Sequence, residues 1–418
     1  MMSKEKRRVP KLRFPGFTED WEQRKLDELT ISIGDGLHGT PKYDENGSYY
    51  FINGNNLVDS KVSVTEETKK VAFEALSNDD RRLDSTSILM SINGTIGTLA
   101  RYNNESIMLG KSVAYITPKN INRDFLFYQL QGNVIQSYFY KNLTGTTIKN
   151  LGLGTIKNVI VMSTLSEEES KIGQFFYKLD QYITLHQRKL DNLKLKKKAL
   201  LQKLFPKNGE RYPELRFPGF TDTWEQRKLG DFYTFKNGLN KEKVYFGYGD
   251  SIVNFTDVFH NRQIYSSTLK GKVFVNKKEL ENFKVKEGDL FFTRTSETID
   301  EIGFPAVVME PMERVVFSGF VLRGRAEKND PLVNIFKSYI FFTDNFRSEM
   351  KRKSSMTTRA LTSGTALKEM YFSYPKDLEE QTKIGEILLR LDNVITLHQR
   401  KLDHLQLQKK ALLQQMFV

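Results

Sequence analysis

The sequence contains no cysteine, and this absence removes several kinds of chemistry at once. Disulfide bonds, thiolate metal sites and cysteine nucleophiles are all excluded. No stretch approaches the roughly 18 apolar residues that indicate a membrane span, so we expect no membrane contact. The basic start, MMSKEKRRVPKLRF, is not followed by an apolar run and does not resemble a signal peptide. Together these absences predict a cytoplasmic protein.

Aromatic and basic residues, by contrast, are abundant. The 418 residues include 30 Phe and 18 Tyr, and 39% of all residues are hydrophobic, which is enough to build two or three domain cores. The formal net charge is +13. This excess favours nucleic acid or another anionic surface as a partner, although a merely basic protein would show it too.

Two stretches of the chain occur twice, and the residues between them are not repeated. Residues 10–26 and 213–229 share 14 of 17 positions, and residues 179–205 and 391–417 share 20 of 27. A repeated sequence fixes the architecture before any local pattern is considered. The repeats predict one molecule that holds two different binding domains in two equivalent places.

The second repeat carries an unbroken heptad pattern. In the first copy the a and d positions are Ile172, Phe176, Leu179, Ile183, His186, Leu190, Leu193, Lys197, Leu200 and Leu204. In the second copy they are Ile384, Leu388, Leu391, Ile395, His398, Leu402, Leu405, Lys409, Leu412 and Met416. This spacing predicts two long helices that pair antiparallel within the chain. Packing of each helix on its own domain alone, or homodimerisation, are the alternatives.

The ends of these helices also carry sequence signals. Ser166 with Glu169, and Asp377 with Glu380, have the spacing of a capping box. Pro206 and Gly209 are expected to stop the first helix. His186 and His398 lack nearby metal-ligand partners, and polar residues within a heptad seam more often fix its register.

The regions between the repeats alternate short β-rich runs with turn residues, and helical segments follow. We therefore predict an α+β protein with two globular domains, joined and separated by two long antiparallel coiled-coil helices, with a pseudo-twofold internal repeat. The expected segments are the N-terminal repeated segment 1–27, a first domain 28–164, a helix 165–206, a linker with the second repeated segment 207–230, a second domain 231–376 and a helix 377–418.

No motif for catalysis stands out. The sequence has no GxxxxGK[ST] loop and no HExxH pattern, and Phe246-Gly247-Tyr248-Gly249 matches a glycine-rich cofactor loop poorly. Two Glu-x-Lys triplets, at 67–69 and 349–351, resemble a nuclease pattern only if Asp59 and Asp330 are added, and both triplets look helical. The sequence thus indicates a recognition part of a larger assembly, with no metal site.

The repeated frame, PxLRFPGFxxxWEQRKL and LDxxITLHQRKLDxLxxxKKALLQ, resembles the specificity subunit of type I restriction-modification systems over nearly the whole chain. Several short loops also resemble this family, but less specifically; among them are Gly36-Leu37-His38-Gly39-Thr40-Pro41-Lys42-Tyr43, Gly145-Thr146-Thr147 and Thr357-Thr358-Arg359-Ala360. The second domain has no obvious Gly-His-Gly-Thr-Pro opening, so its DNA-contacting loops are expected to differ.

The resemblance implies a non-catalytic subunit whose two target-recognition domains, 28–164 and 231–376, each read one half of a bipartite, asymmetric site in double-stranded DNA. It implies two modification (methyltransferase) subunits and two restriction (translocase and endonuclease) subunits as partners. S-adenosylmethionine, ATP and Mg would be bound by those partners and no cofactor by this chain. The expected DNA contacts are Lys42, Tyr43, Arg294, Arg352, Lys353 and Arg359. A stand-alone nucleic-acid-binding regulator and a self-sufficient enzyme are the competing interpretations.

Overall fold

The computed structural model describes residues 9–76 and 80–417, apart from the side chain of Arg81. The chain divides into two compact units. The first unit is built from residues up to 187 together with residues from 400 onward, and the second from residues 188–399. Each unit therefore combines one mixed domain with part of each long helix, in agreement with the predicted α+β class and two-domain architecture.

The first domain begins with strands and ends with helices. Its strands are β1 (Glu22–Lys25), β2 (Thr30–Asp35), β3 (Tyr49–Ile52), β4 (Leu57–Val58), β5 (Lys61–Val62), β6 (Lys70–Val71), β7 (Ile88–Ser91), β8 (Leu99–Arg101), β9 (Ile107–Leu109), β10 (Val113–Pro118) and β11 (Ile160–Ser163). Its helices are α1 (Arg123–Leu130), α2 (Asn133–Lys141) and α3 (Leu153–Asn158). Single 3-10 turns lie at Leu26–Leu29, Gly54–Asn56, Phe73–Ala75 and Asp80–Arg82.

Two sheets dominate this domain. The order β2-β10-β7-β8 forms an antiparallel four-stranded sheet, and β6-β3-β9 forms a three-stranded sheet in which β3 and β9 are parallel. Every residue of β7 and β10 is buried, which explains why these strands read as continuous apolar runs. The main core lies between the four-stranded sheet, α1 and the long helices.

The second domain repeats this plan with longer connections. Its strands are β12 (Glu225–Lys228), β13 (Tyr233–Asn237), β14 (Phe246–Val253), β15 (Gln263–Ile264), β16 (Lys272–Val273), β17 (Leu290–Thr293), β18 (Thr295–Ser296), β19 (Pro305–Val308), β20 (Val315–Phe317), β21 (Val321–Ala326), β22 (Ser355–Met356), β23 (Ala360–Leu361) and β24 (Tyr371–Tyr374). Its helices are α5 (Phe255–Val258), α6 (Lys277–Phe283), α7 (Asn334–Ile340), α8 (Asp344–Lys353) and α9 (Gly364–Lys368). Single 3-10 turns lie at Leu229–Asp231, Lys243–Tyr245, Ser266–Thr268 and Ile299–Glu301.

The sheets of the second domain correspond to those of the first. A five-stranded sheet has the order β13-β21-β17-β19-β15, and the order β16-β14-β20 forms a three-stranded sheet with β14 and β20 parallel. Small sheets of order β18-β23-β22 and β12-β24 complete the domain. Its main core is built from the five-stranded sheet, α7, α8 and the long helices.

The two long helices extend over Ser166–Lys203 (α4) and Leu378–Met416 (α10). Every predicted seam position in both helices is buried or half-buried, so the heptad interpretation is confirmed. At the start of α10 the Asp377 carboxylate accepts the N–H groups of Glu379 and Glu380, as a capping residue should. The reciprocal half of the predicted capping box is wrong, because the Glu380 carboxylate binds Arg216 and Trp224 instead.

In each unit a Tyr-Asp-Lys cluster joins the two long helices to each other and to the globular domain. In the first unit Asp180 of α4 accepts the Tyr128 hydroxyl at 2.8 Å and pairs with Lys409 of α10 at 2.7 Å. In the second unit Asp392 of α10 accepts the Tyr339 hydroxyl at 2.9 Å and pairs with Lys197 of α4. These partners occur in opposite order along the two helices, so α4 and α10 pack together antiparallel within the chain, as predicted.

The charges of these clusters explain the lysines that interrupt each heptad seam. Burial, reinforced by the neighbouring aspartate, raises the pKa of Tyr128 and of Tyr339, so both hydroxyls remain protonated donors. Burial lowers the pKa of Lys197, an effect that Asp392 opposes. The seam lysines therefore supply the charge partner of a half-buried aspartate.

The repeated N-terminal segment packs against the end of a long helix in each unit. The Leu12 N–H donates to the Gln415 carbonyl at 2.9 Å, and the Leu215 N–H donates to the Lys203 carbonyl at 2.8 Å. The Trp21 ring lies 6.3 Å from the Phe417 ring, and the Trp224 ring lies 6.0 Å from the Phe205 ring. Both copies of the segment thus close onto the end of a long helix.

Candidate nucleic-acid interface

A buried Arg-Glu-Trp cluster fixes each repeated segment to the first turn of a long helix. Arg13 binds the Glu168 carboxylate with two hydrogen bonds of 2.6 and 2.8 Å, and the Trp21 indole donates to it at 3.1 Å. Burial alone would raise the pKa of Glu168, but the hydrogen bonds from Arg13 and Thr164 hold that pKa below its ordinary value. The guanidinium of Arg13 is stabilised in turn, because Glu168 raises its pKa.

The second unit contains the same cluster. Arg216 binds the Glu380 carboxylate at 2.7 and 2.8 Å, and the Trp224 indole donates to it at 3.4 Å. The same bidentate Arg–Glu contact therefore occurs in both units, and in each it fixes the repeated segment relative to the long helix.

In the second domain one group of loops brings two predicted DNA contacts together. Arg294 follows β17, its N–H donates to the Phe320 carbonyl at 3.0 Å, and its own carbonyl accepts the Thr362 N–H at 3.1 Å. Arg359 lies at the exposed tip of the β22-β23 hairpin, and β23 pairs with β18 directly after Arg294. Arg294 is half-buried, whereas Phe320 is 64% exposed. We call Arg294, Phe320 and residues 355–361 the reading face of the second domain.

The first domain builds the same arrangement from different residues. The Ile92 N–H donates to the Ser112 carbonyl, and the Leu151 N–H donates to the Ile92 carbonyl, both at 2.9 Å. Thr144 forms a β-bridge with Asn150, just as Ser355 of the second domain pairs with Leu361. The two hairpins therefore have equal length, and each has two consecutive threonines at its tip. The Ile92 side chain is buried in the domain core, so this residue contributes its backbone alone. We call Ile92, Ser112 and residues 144–150 the reading face of the first domain.

The reading faces differ in chemistry position by position. Ile92 stands where the second domain has Arg294, and Ile148, which is 73% exposed, stands where it has Arg359. Ser112 stands where the second domain has Phe320, and its hydroxyl is occupied internally by Asn53 and by the Gly54 N–H. Sequence reasoning missed Ile148 and Phe320. The shared Thr-Thr pair is a signal that could have identified Ile148.

An opening loop adjoins each reading face. The Leu37 N–H donates to the Leu109 carbonyl, and the Leu239 N–H donates to the Phe317 carbonyl, both at 2.8 Å. A Cβ on Gly36 would lie 2.1 Å from the Leu109 carbonyl oxygen, and one on Gly238 would lie 2.2 Å from that of Ser318. Only glycine fits at either position. The second domain therefore has the same opening, built from Gly238-Leu239 without the His-Gly-Thr-Pro residues.

The remaining predicted contacts lie at two other places. Lys42 and Tyr43 are exposed in the opening loop of the first domain, where the Tyr43 ring packs edge-on against Phe51 with 5.9 Å between centroids. Arg352 and Lys353 end α8 and lie 3.7 and 3.8 Å from the Glu349 carboxylate. Arg352 lines a cavity of about 460 Å³ beside Phe205 and Tyr371, next to the frame rather than between the loops of the reading face.

The nuclease-like triplets are not arranged for catalysis. Glu67-Thr68-Lys69 lies in the turn before β6, so its predicted helical conformation is wrong, whereas Glu349-Met350-Lys351 lies in α8 as predicted. Asp330 binds Lys337 and the Tyr233 hydroxyl. Within residues 9–76 and 80–417, no group of three His, Asp or Glu side chains could hold a metal ion. No helix in the same residues is long and apolar enough to span a membrane.

Fold and site together define a two-domain recognition protein, with two unlike loop faces on one repeated frame. The family described as "Type I restriction modification DNA specificity domain" matches residues 18–195 and 221–407, and the chain belongs to this family. It is a DNA specificity subunit of a type I restriction-modification system, which is the non-catalytic component.

Two curated relatives come from Methanocaldococcus jannaschii. The "Type I restriction enzyme MjaVIII specificity subunit" is 21% identical over 424 aligned residues, covering 94% of this chain and 91% of the relative. The "Type I restriction enzyme MjaIX specificity subunit" is 22% identical over 300 residues, covering 68% of each chain. Both are similar along more than one domain, as a shared two-domain frame requires.

Solved structures share the fold. The type I restriction-modification S subunit from M. genitalium superposes with a TM-score of 0.62 at 16% identity, covering 98% of this chain and 99% of that one. A chain from a structure of type I restriction-modification complex assembly and conformational transition gives a TM-score of 0.52 at 14% identity, covering 94% of this chain and 96% of that one.

Proposed function

We propose that residues 28–164 and residues 231–376 are two target-recognition domains, each reading one half of a bipartite, asymmetric DNA site. The observation that carries this proposal is the contrast between repeated and unrepeated contacts. The Arg-Glu-Trp and Tyr-Asp-Lys clusters recur in both units, whereas the residues at equivalent places on the reading faces differ. Two equivalent supports with unlike faces suit two unlike half-sites.

The chemistry of the faces supports direct reading of base edges. Arg294 and Arg359 can donate two hydrogen bonds to guanine in the major groove, and the paired threonines can contact several bases. The exposed Ile148 of the first domain suits an apolar contact such as a thymine methyl group. Lys42, Tyr43, Arg352 and Lys353 are proposed contacts as well, with the lysines directed at phosphates.

The long helices are the proposed binding sites for partner subunits. The first unit exposes Leu185 and Leu407, and the second exposes Leu397 and Leu195, each 62–67% accessible. These four leucines occupy equivalent repeat positions, so each unit offers the same apolar residues. This duplication supports two copies of one partner, the modification subunit, with two restriction subunits joining them.

The chain would direct adenine methylation or restriction without carrying either activity. Its partners would bind S-adenosylmethionine, ATP and Mg, while this chain supplies the choice of site. The experiment that tests this is genome-wide mapping of methylated adenines with the subunit present and absent. We expect one bipartite motif that depends on this chain. Specific DNA binding by the purified chain alone, with no dependent methylation, would instead indicate a stand-alone regulator.

A further inference from the structure

The Gly247-Tyr248-Gly249 segment forms a bulge that the reading face does not include. In the pairing of β14 with β16, both Phe246 and Asp250 lie opposite Val273, so the three residues between them leave the ladder. Gly247 and Gly249 have φ angles of 100° and 88°, which strongly favour glycine. A tyrosine flanked by two such glycines is pushed outward, and Tyr248 is 52% exposed.

The bulge completes a row of three exposed rings. The Phe274 ring lies 6.5 Å from Tyr245 and 5.9 Å from Tyr248, with interplanar angles of 22° and 27°. All three side chains are between 37% and 52% exposed. We call Tyr245, Tyr248 and Phe274 the aromatic ridge. Exposed apolar side chains gathered in one place usually mark a binding surface.

A lysine fixes one end of the ridge. The Lys241 ammonium lies 4.7 Å from the centre of the Tyr245 ring and donates to the Phe274 carbonyl at 2.8 Å. It also pairs with Glu279 at 2.7 Å, and this hydrogen bond lowers the pKa of Glu279. The ridge is therefore held in place before any partner arrives, which reduces the entropy lost on binding.

The charge around the ridge identifies the kind of partner. Residues 241–249 and 270–278 contain six lysines and one glutamate, and with Glu279, which pairs with Lys241, the net charge is +4. Lys243, Lys270, Lys272, Lys277 and Lys278 are all exposed. In the described part of the chain none of these five lies within ion-pair distance of a carboxylate. Protein interfaces are depleted in lysine, whereas phosphate backbones attract it.

The first domain provides an internal comparison. Its sheet β6-β3-β9 matches β16-β14-β20 in order and strand direction, and Tyr43, Phe51 and Phe73 supply rings there. The corresponding residues 39–47 and 68–76 contain three lysines balanced by Asp44, Glu45 and Glu74. Their net charge is zero. The first domain thus has rings without the positive field, and the combination is particular to the second domain.

We propose that the aromatic ridge and its lysines bind duplex DNA beside the half-site read by the second domain, without selecting the sequence. This inference rests on the proposed function. Leu239 forms a β-bridge with Ser318, which lies two residues before Phe320 of the reading face. From Leu239 the chain continues to Lys241 and Tyr245 of the ridge. The ridge therefore adjoins the reading face. The rings can pack against backbone sugars, and the lysines neutralise phosphates; neither contact carries base identity.

The test uses the chain assembled with its modification partner. Two duplexes carry the methylated motif, one with long flanks and one truncated on the side of the second half-site. We expect the native assembly to bind the long duplex roughly tenfold more tightly, since the ridge lysines neutralise phosphates of the added flank and release their counterions. Combining Tyr248→Ser with Lys243→Gln and Lys272→Gln should abolish that difference. It should also lower the salt dependence of binding by about two counterions.

A matched control comes from the first domain. Phe73→Ser with Lys70→Gln changes an exposed ring beyond β6 and the strand lysine that corresponds to Lys272, and we expect unaltered affinity for both duplexes. The methylated motif should be the same for native, ridge-variant and control assemblies. A native assembly that binds both duplexes equally, or a ridge variant that methylates an altered motif, would overturn the proposal.

Failure of the proposed function can be distinguished from failure of the ridge proposal. If the native assembly methylates no defined motif, the specificity assignment is lost, yet binding of the chain to random-sequence duplex still tests the ridge. In that assay the ridge variant should lose affinity and salt dependence while the control variant keeps both. Equal binding by the two variants would show that the ridge does not contact DNA.

Discussion

The two units of this chain show which parts of a recognition protein can vary. Glu168 and Glu380 make the same three-residue cluster, and Asp180 and Asp392 make the same helix-domain joint. The reading faces carry isoleucine, serine and isoleucine in one unit and arginine, phenylalanine and arginine in the other. Buried polar contacts are repeated because each leaves a costly unpaired group if one member changes. Ile148, Phe320 and Arg359 are exposed, have no such constraint and are free to diverge.

Exchange of one domain should have the largest effect. Replacing residues 28–164 with the corresponding domain of another family member is expected to change one half-site completely. The other half-site should keep its bases, because the second unit retains its own frame cluster and reading face. Mapping of methylated adenines measures both halves at once. A change in both half-sites would show that the domains do not read DNA independently.

Removal of the carboxylate in either Arg-Glu-Trp cluster should lower the free energy of unfolding more than any other single substitution considered. Glu168→Ala leaves Arg13 and Trp21 without their acceptor, and breaking a buried charge pair costs about 3–5 kcal/mol. Glu380→Ala should cost a similar amount, since it removes the same contacts from Arg216 and Trp224. Denaturant unfolding of each variant gives both values.

The neighbouring Glu167 supplies the control for that experiment. It is exposed, and its ion pair among the described residues is with Lys171 one turn away, so Glu167→Ala should change the free energy of unfolding by less than about 0.5 kcal/mol. A large loss for Glu168→Ala combined with a negligible one for Glu380→Ala would mean that the two frames are not energetically equivalent.

Substitutions on the reading faces should have smaller effects that are confined to one base position. Arg294→Ala or Arg359→Ala is expected to cost about 1–3 kcal/mol of discrimination at one position of the second half-site. Ile148→Ala should relax only the first half-site. The measurement is affinity for a set of duplexes with single base changes. Uniform weakening across all duplexes would identify a phosphate contact instead.

The smallest expected effect concerns Glu169, whose equivalent in the second unit is Gln381. Glu169 accepts the Asn122 N–H at 2.8 Å, as Gln381 accepts the Val333 N–H at 2.9 Å. Burial raises the pKa of Glu169, although the N–H groups of Asn122 and Thr164 oppose the shift, so the folded state disfavours its charged form. Glu169→Gln removes that charge but turns an amide NH2 toward one of the two N–H donors, of which Thr164 lies at 3.2 Å. Its net gain in the free energy of unfolding at neutral pH should therefore be small.

The pH dependence of that gain has a definite sign. A raised pKa in the folded state means that Glu169 destabilises the protein above that pKa and ceases to do so below the unfolded value of about 4.3. The advantage of Glu169→Gln should hence be present at pH 7 and vanish as the pH falls through this window. Glu168→Gln should behave oppositely, because its lowered pKa gives stability that is lost at acid pH. Unfolding of both variants at several pH values separates the two cases.

The sequence was most informative where contacts are local or repeated. The heptad positions and the antiparallel pairing of α4 and α10 followed from spacing and repetition alone. The helical prediction for Glu67-Thr68-Lys69 was wrong because pairing of β6 with β3 overrides local propensity. Phe320 could not be found, because its place beside Arg294 depends on pairing between β17 and β21, which are distant in sequence. The clusters of Glu168 and Glu380 were missed for the same reason.

The position of Phe417 has a consequence for how the protein is made. Its ring packs within 5.4 to 6.3 Å of Trp21, Phe125 and Phe176, all of which are synthesised more than two hundred residues earlier. At roughly 5–20 residues per second, the ribosome needs on the order of tens of seconds to cover that interval. The second unit, residues 188–399, is meanwhile complete in sequence. The unit that starts first should therefore finish folding last, and its aromatic cluster stays open to chaperones or proteases until translation reaches residue 417.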